Sequence, residues 1–172
     1  YDHVRRNSAG PVLGMSSVIR CWAGSFGETP ASSSAGQSVA SLAENLDATN
    51  VQNLVTFLLT AHAAWGRDPE YYRLWGNLNL IICMWLWRKL VLDRDRVGNK
   101  RYAVLDIATF KQCLMSVSAD GDYLQWLPGR NLTDRDRSPC FGRLKTIFAR
   151  RLADGTSDKK KVLLPSPAWA SK

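Results

Sequence analysis

Between Asp68 and Leu92 the chain reads DPEYYRLWGNLNLIICMWLWRKLVL, and any fold open to it must enclose this stretch. Asp68, Pro69 and Glu70 form a helix start: a side-chain oxygen for free amides, a ring preset at helical φ, and an acid at the positive end of the dipole. Arg88 and Lys89 complement the opposite end. Between them Leu74, Trp75, Leu78, Leu80, Ile81, Ile82, Met84, Trp85, Leu86, Trp87 and Leu90, stepping about 100° per residue, cover the whole circumference and not a stripe. A helix that is apolar all round has to be surrounded. Trp85 and Trp87 point to nearly opposite sides, so neighbours are required on both. The expectation is an all-α domain, a helical bundle of about five to six helices around a central buried helix over 68–92.

A membrane span is the competing reading of so apolar a segment. Its longest run without a charge, Leu74 to Trp87, is 14 residues and contains Gly76, Asn77 and Asn79, whereas crossing a bilayer takes about 20 mainly apolar residues. No membrane partner is therefore expected. Gly76, which costs up to about 1 kcal/mol relative to Ala inside a helix, is read as a point where another helix approaches closely. Asn77 and Asn79 need hydrogen-bond partners wherever they are buried. With 172 residues, 45% of them hydrophobic and seven of them Trp, one domain can bury roughly 70% of its unfolded surface without disulfides or metals.

Residues 1–23 read as an N-terminal arm followed by a short helix, in which Val12, Met15, Val18, Ile19 and Trp22 follow amphipathic spacing. Residues 24–36, GSFGETPASSSAG, are a flexible loop by composition. The helical core is expected over 37–155. Its first helix is a short one over Ser38 to Leu46. A second, capped by Thr49 or Asn50, runs to Trp65 with Val51, Leu54, Val55, Leu58, Leu59 and His62 on its apolar face, and Gly66 stops it. So short a turn at Arg67 to Pro69 predicts an antiparallel hairpin with the central helix. After a polar turn at Gly98-Asn99, Asp106 caps a helix over Ile107 to Ala119 with Ile107, Phe110, Leu114 and Val117 inward. Asp120-Gly121-Asp122 ends it, and Tyr123 to Leu127 adds an aromatic turn closed by Pro128-Gly129. The last helix opens at Ser138-Pro139 and ends at Gly155, with Phe141, Leu144, Phe148 and Leu152 inward. Residues 156–172 form a C-terminal tail that docks through Val162 to Leu164 and Trp169.

Chemistry is sparse. Cys21, Cys83, Cys113 and Cys140 are far apart, without CxxC or Cys/His grouping, so the expectation is reduced, buried thiols in a cytoplasmic protein, with no metal and no cofactor. The paired repeats Asp93-Arg94-Asp95-Arg96 and Asp134-Arg135-Asp136-Arg137 place carboxylates at a spacing that a divalent ion can bridge, but each Asp has an Arg beside it that opposes a cation and favours local ion pairs. His62 lies at helical spacing among Leu58, Leu59 and Trp65, and reads as a packed or half-exposed structural histidine, since no partner triad is nameable. No phosphate loop, zinc-protease motif or nucleophile elbow occurs, so no catalytic residue is assigned. Trp75, Trp85 and Trp87 belong to the core; Trp126 and Trp169 are the candidates for exposure.

Charge is unevenly placed. Of the net +8, residues 1–127 carry +1 and residues 128–172 carry +7. The basic set Arg130, Arg135, Arg137, Arg143, Lys145, Arg150, Arg151, Lys159, Lys160 and Lys161 is the candidate nucleic-acid-binding surface, a basic C-terminal helix and its flanks neutralising backbone phosphates with salt-dependent affinity. Arg143 and Arg150 lie opposite the apolar face of that helix. The expected function is a nucleic-acid-associated helical module of a larger protein, binding DNA or RNA by its phosphate backbone. Two alternatives stand beside it: a protein-interaction or oligomerisation domain whose basic end is only solubilising, and an accessory part of an enzyme whose active site includes residues preceding Tyr1.

The stretches WGNLNLIICMWLWRKLV and DYLQWLPGRNLTDRDRSPCFGRLKTIFARRL together resemble the helical C-terminal portion of bacterial and phage proteins whose amino-terminal part is ParB-like. The resemblance covers about the second half of the chain. The motif defining the ParB-like part is absent here, so the resemblance carries over no functional residue.

Overall fold

A computed structural model describes residues 18–19, 22, 44, 46–66, 69–92, 105–127, 134–154, 164–167 and 170. Five α-helices occur among them: α1 (Ala48–Trp65), α2 (Asn77–Trp87), α3 (Ile107–Ala119), α4 (Gly121–Trp126) and α5 (Arg137–Asp154). A 3₁₀ segment, Pro69–Trp75, leads into α2, a π turn, Arg88–Leu92, follows it, and a 3₁₀ turn, Asp134–Asp136, precedes α5. The described residues contain no strand, and several helices pack on one another: the chain is an all-α helical bundle. No helix among the described residues is long and apolar enough to cross a membrane.

The expected central helix is there, but it is broken. Gly76 sits in extended backbone at φ −66° and ψ 148° as the residue before α2, its N–H donating to the Arg73 carbonyl at 3.2 Å and its carbonyl accepting from the Leu80 N–H at 3.1 Å. A Cβ at Gly76 would stand 3.2 Å from the Arg73 oxygen. The close approach expected there comes from the chain's own preceding turn and not from a second helix. The two halves are tied across the break by Asn79, whose Nδ2 donates to the same Arg73 carbonyl at 3.1 Å.

Enclosure of α2 follows the expectation. Leu78, Leu80 and all of 82–87 are buried. Trp87 meets Phe57 of α1 and Phe110 of α3 edge to face, with centroids 5.7 and 5.2 Å away, and Phe110 meets Phe148 of α5 at 5.6 Å. Trp85 turns the other way onto Phe141 of α5, at 5.7 Å. Such T-shaped pairs add about 0.5–1.5 kcal/mol each beyond the area they bury.

Helix α1 departs from the sequence reading in three respects. Its cap is Asp47, which accepts from the Asn50 N–H at 2.7 Å, and not Thr49 or Asn50. Its buried side is Leu54, Phe57, Thr60, Ala61 and Trp65, while Val51, Val55 and Leu59 are exposed, Leu59 by 64%, and His62 is exposed as well. Phe57 and Trp65 decide this phase, since each aromatic ring brings more area inside than a Val or Leu on the opposite side. Finally, α1 packs chiefly on α3, to which Trp65 Nε1 donates through the Leu114 carbonyl at 3.0 Å, so the expected α1–α2 hairpin is not the main pairing. Gly66, at φ 67°, ends α1 as expected, in a left-handed conformation that glycine adopts without strain.

Helix α3 has the predicted bounds and the predicted Asp106 cap, which accepts from the Thr109 N–H at 2.7 Å. Phe110, Cys113, Leu114 and Val117 face inward, whereas Ile107 is exposed. Asp120 ends α3 and caps α4, accepting from the Tyr123 N–H at 2.8 Å. Val18 and Trp22 are helical and join the core, as does Leu164 of the tail. The 24–36 loop, the Asp68 cap, the Asp93 to Arg96 repeat, the Gly98-Asn99 turn, Pro128-Gly129, Cys21, Val162 and Trp169, with most of the helices expected over Val12 to Ala23 and Ser38 to Leu46, lie outside the described residues.

Candidate nucleic-acid interface

Helix α5 carries the basic set on an amphipathic frame. Arg137, Cys140, Phe141, Leu144, Ile147 and Phe148 are buried, and Leu152 packs at the core's margin. The helix starts at Arg137, directly after the 3₁₀ turn, one residue before the expected Ser138 cap. That register sends the cations in different directions. Arg143 and Arg150, seven residues and about two turns apart, share one side, while Lys145 projects about 200° around the helix from Arg143.

Each expected contact residue has its own surroundings. Arg143 is exposed, with its guanidinium carbon 4.5 Å from the ring centroid of Trp126 on α4. Arg150 keeps 71% of its side chain in solvent and has Nη1 3.8 Å from Asp120 Oδ2, an open pair worth at most about 1 kcal/mol. Arg151, exposed, reaches Gln112 Oε1 on α3 at 3.4 Å, and half-buried Lys145 donates to Ser166 Oγ in the tail at 2.9 Å. Arg135 is exposed in the 3₁₀ turn. Arg137 is placed differently from the others, only 6% exposed against the core. Its position one turn before Phe141 and two before Leu144 puts it on their face, a signal present in the sequence and outweighed by its charge. Arg130, Lys159, Lys160 and Lys161 lie outside the described residues.

Between α4 and α5 is a groove of about 390 Å³. Tyr123, Pro139 and Ile147 form its apolar floor, Arg143, Thr146 and Arg150 the α5 wall, and Asp120 and Asp122 the facing wall, with Gly142 leaving a gap in the helix surface. Two guanidiniums and two carboxylates thus line one opening, and at Arg150 and Asp120 they approach to 3.8 Å. The sequence reading missed the acidic wall because Asp120 and Asp122 belong to a different helix, read there only as a helix stop.

Behind the floor a buried polar cluster locks the walls. The Tyr123 hydroxyl donates to Asn79 Oδ1 at 2.6 Å, the Cys140 thiol reaches the same oxygen at 3.1 Å, and the Tyr123 oxygen and Cys140 sulfur are 2.9 Å apart. Arg73 Nη1 donates to the carbonyls of Leu124 and Leu127 at 3.0 and 3.1 Å, satisfying the end of α4. One side chain from each of α2, α4 and α5 meets in this cluster, so the groove has a rigid back. Asn79 was expected to need partners; that they are Tyr123 and Cys140 was not legible from spacing.

The cluster is structural, not nucleophilic. Burial pushes the Cys140 thiol up to about 12, with the Tyr123 hydrogen bond working the other way, and burial raises Tyr123 and Cys83 well above their ordinary values. Cys113 is pushed up to about 12, again by burial. These three cysteines are buried and free, as expected, and protonated thiols are poor nucleophiles and poor metal ligands. The described residues hold no group of three or more His, Cys, Asp or Glu placed to bind a metal ion. Trp126, expected as a candidate for exposure, is half-buried beneath Arg143.

Comparison of the chain with protein-family models, with curated proteins and with solved structures gives no match.

Proposed function

We propose that the domain contacts the phosphate backbone of nucleic acid through α5, in a cytoplasmic protein whose free thiols suit a reducing compartment. The observation that carries this reading is the pair Arg143 and Arg150, both exposed on one side of α5 within a C-terminal region of net +7. Their separation along the helix is about 10 Å, roughly three phosphate steps of one strand. Exposed Arg135 and Arg151 extend the positive edge, and Lys145 adds charge on the other flank of the helix. The faint ParB-like resemblance of the second half of the chain is compatible with this reading and adds no residue to it.

Binding of short labelled oligonucleotides across a salt series tests it. Affinity should fall steeply with salt, and R143A/R150A should flatten the logarithmic slope by about 1.4 on single strands to about 1.8 on duplex, since each phosphate no longer neutralised removes roughly 0.7–0.9. An unchanged slope and affinity would remove the assignment.

One observation favours a second reading, a protein-interaction domain. Val51, Val55 and Leu59 are exposed along one side of α1, and Ile107 and Met115 are exposed on α3, the helix packed against it. Exposed apolar side chains on neighbouring helices are what an interface uses. A stable oligomer in light scattering, without affinity for polyanions, would favour this reading over the first.

A further inference from the structure

The α4–α5 groove has features that backbone neutralisation leaves unused. Gly142 lies inside the 18-residue helix α5, where glycine costs up to about 1 kcal/mol relative to alanine. Neither usual reason for a glycine applies: it is not in a left-handed conformation, and a Cβ built on it meets nothing within 4 Å. What its missing side chain does is widen the groove. At about 390 Å³ the groove lies within the roughly 300–1,000 Å³ range of small-molecule sites.

The charges specify what kind of group fits. A phosphate seated inside would face Asp120 and Asp122, whose carboxylates repel it. A nucleobase with an exocyclic amine reverses the sign of that contact, because carboxylates accept from such amines, as they do from the cytosine N4 group. The phosphates flanking that base then fall to Arg143 and to Arg150, whose Nη1 stands 3.8 Å from Asp120 Oδ2 and whose side chain is 71% exposed. Arg143, backed by the Trp126 ring, also presents the outer face of its guanidinium, a plane on which a splayed base stacks. A paired base inside a duplex cannot enter such a groove; an unstacked base of a single strand can.

We propose that the groove between α4 and α5 is a base site for single-stranded nucleic acid, selecting amino-bearing bases through Asp120 and Asp122 while Arg143 and Arg150 hold the adjoining phosphates. The proposal rests on the phosphate-binding reading and adds to it strand type and base preference.

The test uses fluorescence anisotropy of the whole chain with short oligo(dC), oligo(dT), oligo(rC), oligo(rU) and a mixed duplex at fixed low salt. The wild-type chain should bind oligo(C) roughly tenfold more tightly than oligo(T) or oligo(U), about the worth of one good carboxylate–base contact, and more tightly than the duplex. In D120S/D122A, where Ser still caps α4, the preference should vanish because oligo(C) binding weakens relative to oligo(T). If the two acids only repel phosphate, the same variant tightens both oligomers equally and the base site is overturned. G142L, which fills the gap, should also abolish the preference; its thermal melt confirms that the fold is intact, and a preserved preference in a folded G142L would likewise overturn the site. Equal, salt-dependent binding of every oligomer would remove the base site and leave the phosphate reading standing. No binding of any of them would remove both.

Discussion

Two polar clusters flank the α4–α5 contact, and they are built on opposite principles. The inner one, Asn79, Tyr123 and Cys140, is buried, with distances of 2.6–3.1 Å and shared donors and acceptors. The outer one pairs Asp120 and Arg150 at 3.8 Å, with the Arg150 side chain 71% exposed and that of Asp120 20%. Inside, an unpaired group has no water to turn to, so the cluster holds geometry. Outside, water compensates the loss of the ion pair, so Arg150 adds little stability, while Asp120 contributes through its cap on α4.

The largest test of this contrast is N79L. It removes the acceptor shared by Tyr123 and Cys140, and each buried polar group left unpaired costs about 1–3 kcal/mol, so urea denaturation should lose about 3 kcal/mol of stability. A loss no greater than that of an exposed charge would break the contrast.

Alkaline denaturation is next. The folded-state values of Cys140, Cys113, Cys83 and Tyr123 are all raised, chiefly by burial, so above the unfolded thiol value near 8.5 the unfolded chain releases protons that the native chain retains. The stabilisation is complete below that pH and is lost as pH rises toward 12, at up to about 1.4 kcal/mol per pH unit for each group. C140S keeps a hydroxyl donor for Asn79 but lacks the titrating thiol, so its stability should fall less steeply with pH by one group. A slope equal to that of the wild-type chain would mean that Cys140 ionises freely in the fold.

Smaller effects belong to the open side. G142A should raise the melting temperature, with a gain of up to about 1 kcal/mol, since the added methyl meets nothing and alanine favours the helix. A destabilised G142A would show that the gap is needed for packing. Smallest of all, R150A should change stability by less than about 0.5 kcal/mol in the same urea titration while lowering the salt slope of binding by about 0.7–0.9. A large stability loss with an unaltered slope would reverse the roles of the inner and outer clusters.

Legibility in the sequence followed how many local signals agreed. At α3 the Asp106 cap, the Phe110, Leu114 and Val117 spacing and the Asp120-Gly121-Asp122 stop all coincide, and its bounds were readable. In α1 two apolar stripes overlap: of the face counted from Val and Leu, Leu54 is buried and Leu58 packs on the core, while Val51, Val55 and Leu59 are exposed because Phe57 and Trp65, fewer but larger, set the phase. The central stretch was rightly read as enclosed, but periodicity alone does not register that Gly76 resets the backbone, because apolar residues resume on all sides after the break. On α5 the separation of Arg143 and Arg150 from the apolar face was visible, as was the burial of Arg137 wherever spacing is weighed above charge. The groove was not, since it is made from two helices whose pairing depends on a tyrosine, an asparagine and a cysteine spread over 61 positions.

The ring chain Phe57, Trp87, Phe110 and Phe148 also sets a schedule for biosynthesis. Its members come from four helices, and the last of them is translated about 90 residues after the first. At about 5–20 residues per second, roughly five to twenty seconds separate the two at the ribosome. From the synthesis of Phe110 onward, its ring lacks its last neighbour until Phe148 is made. The helix that carries the basic side of the groove, α5, is thus also the element that completes the ring chain, by bringing Phe148 onto Phe110.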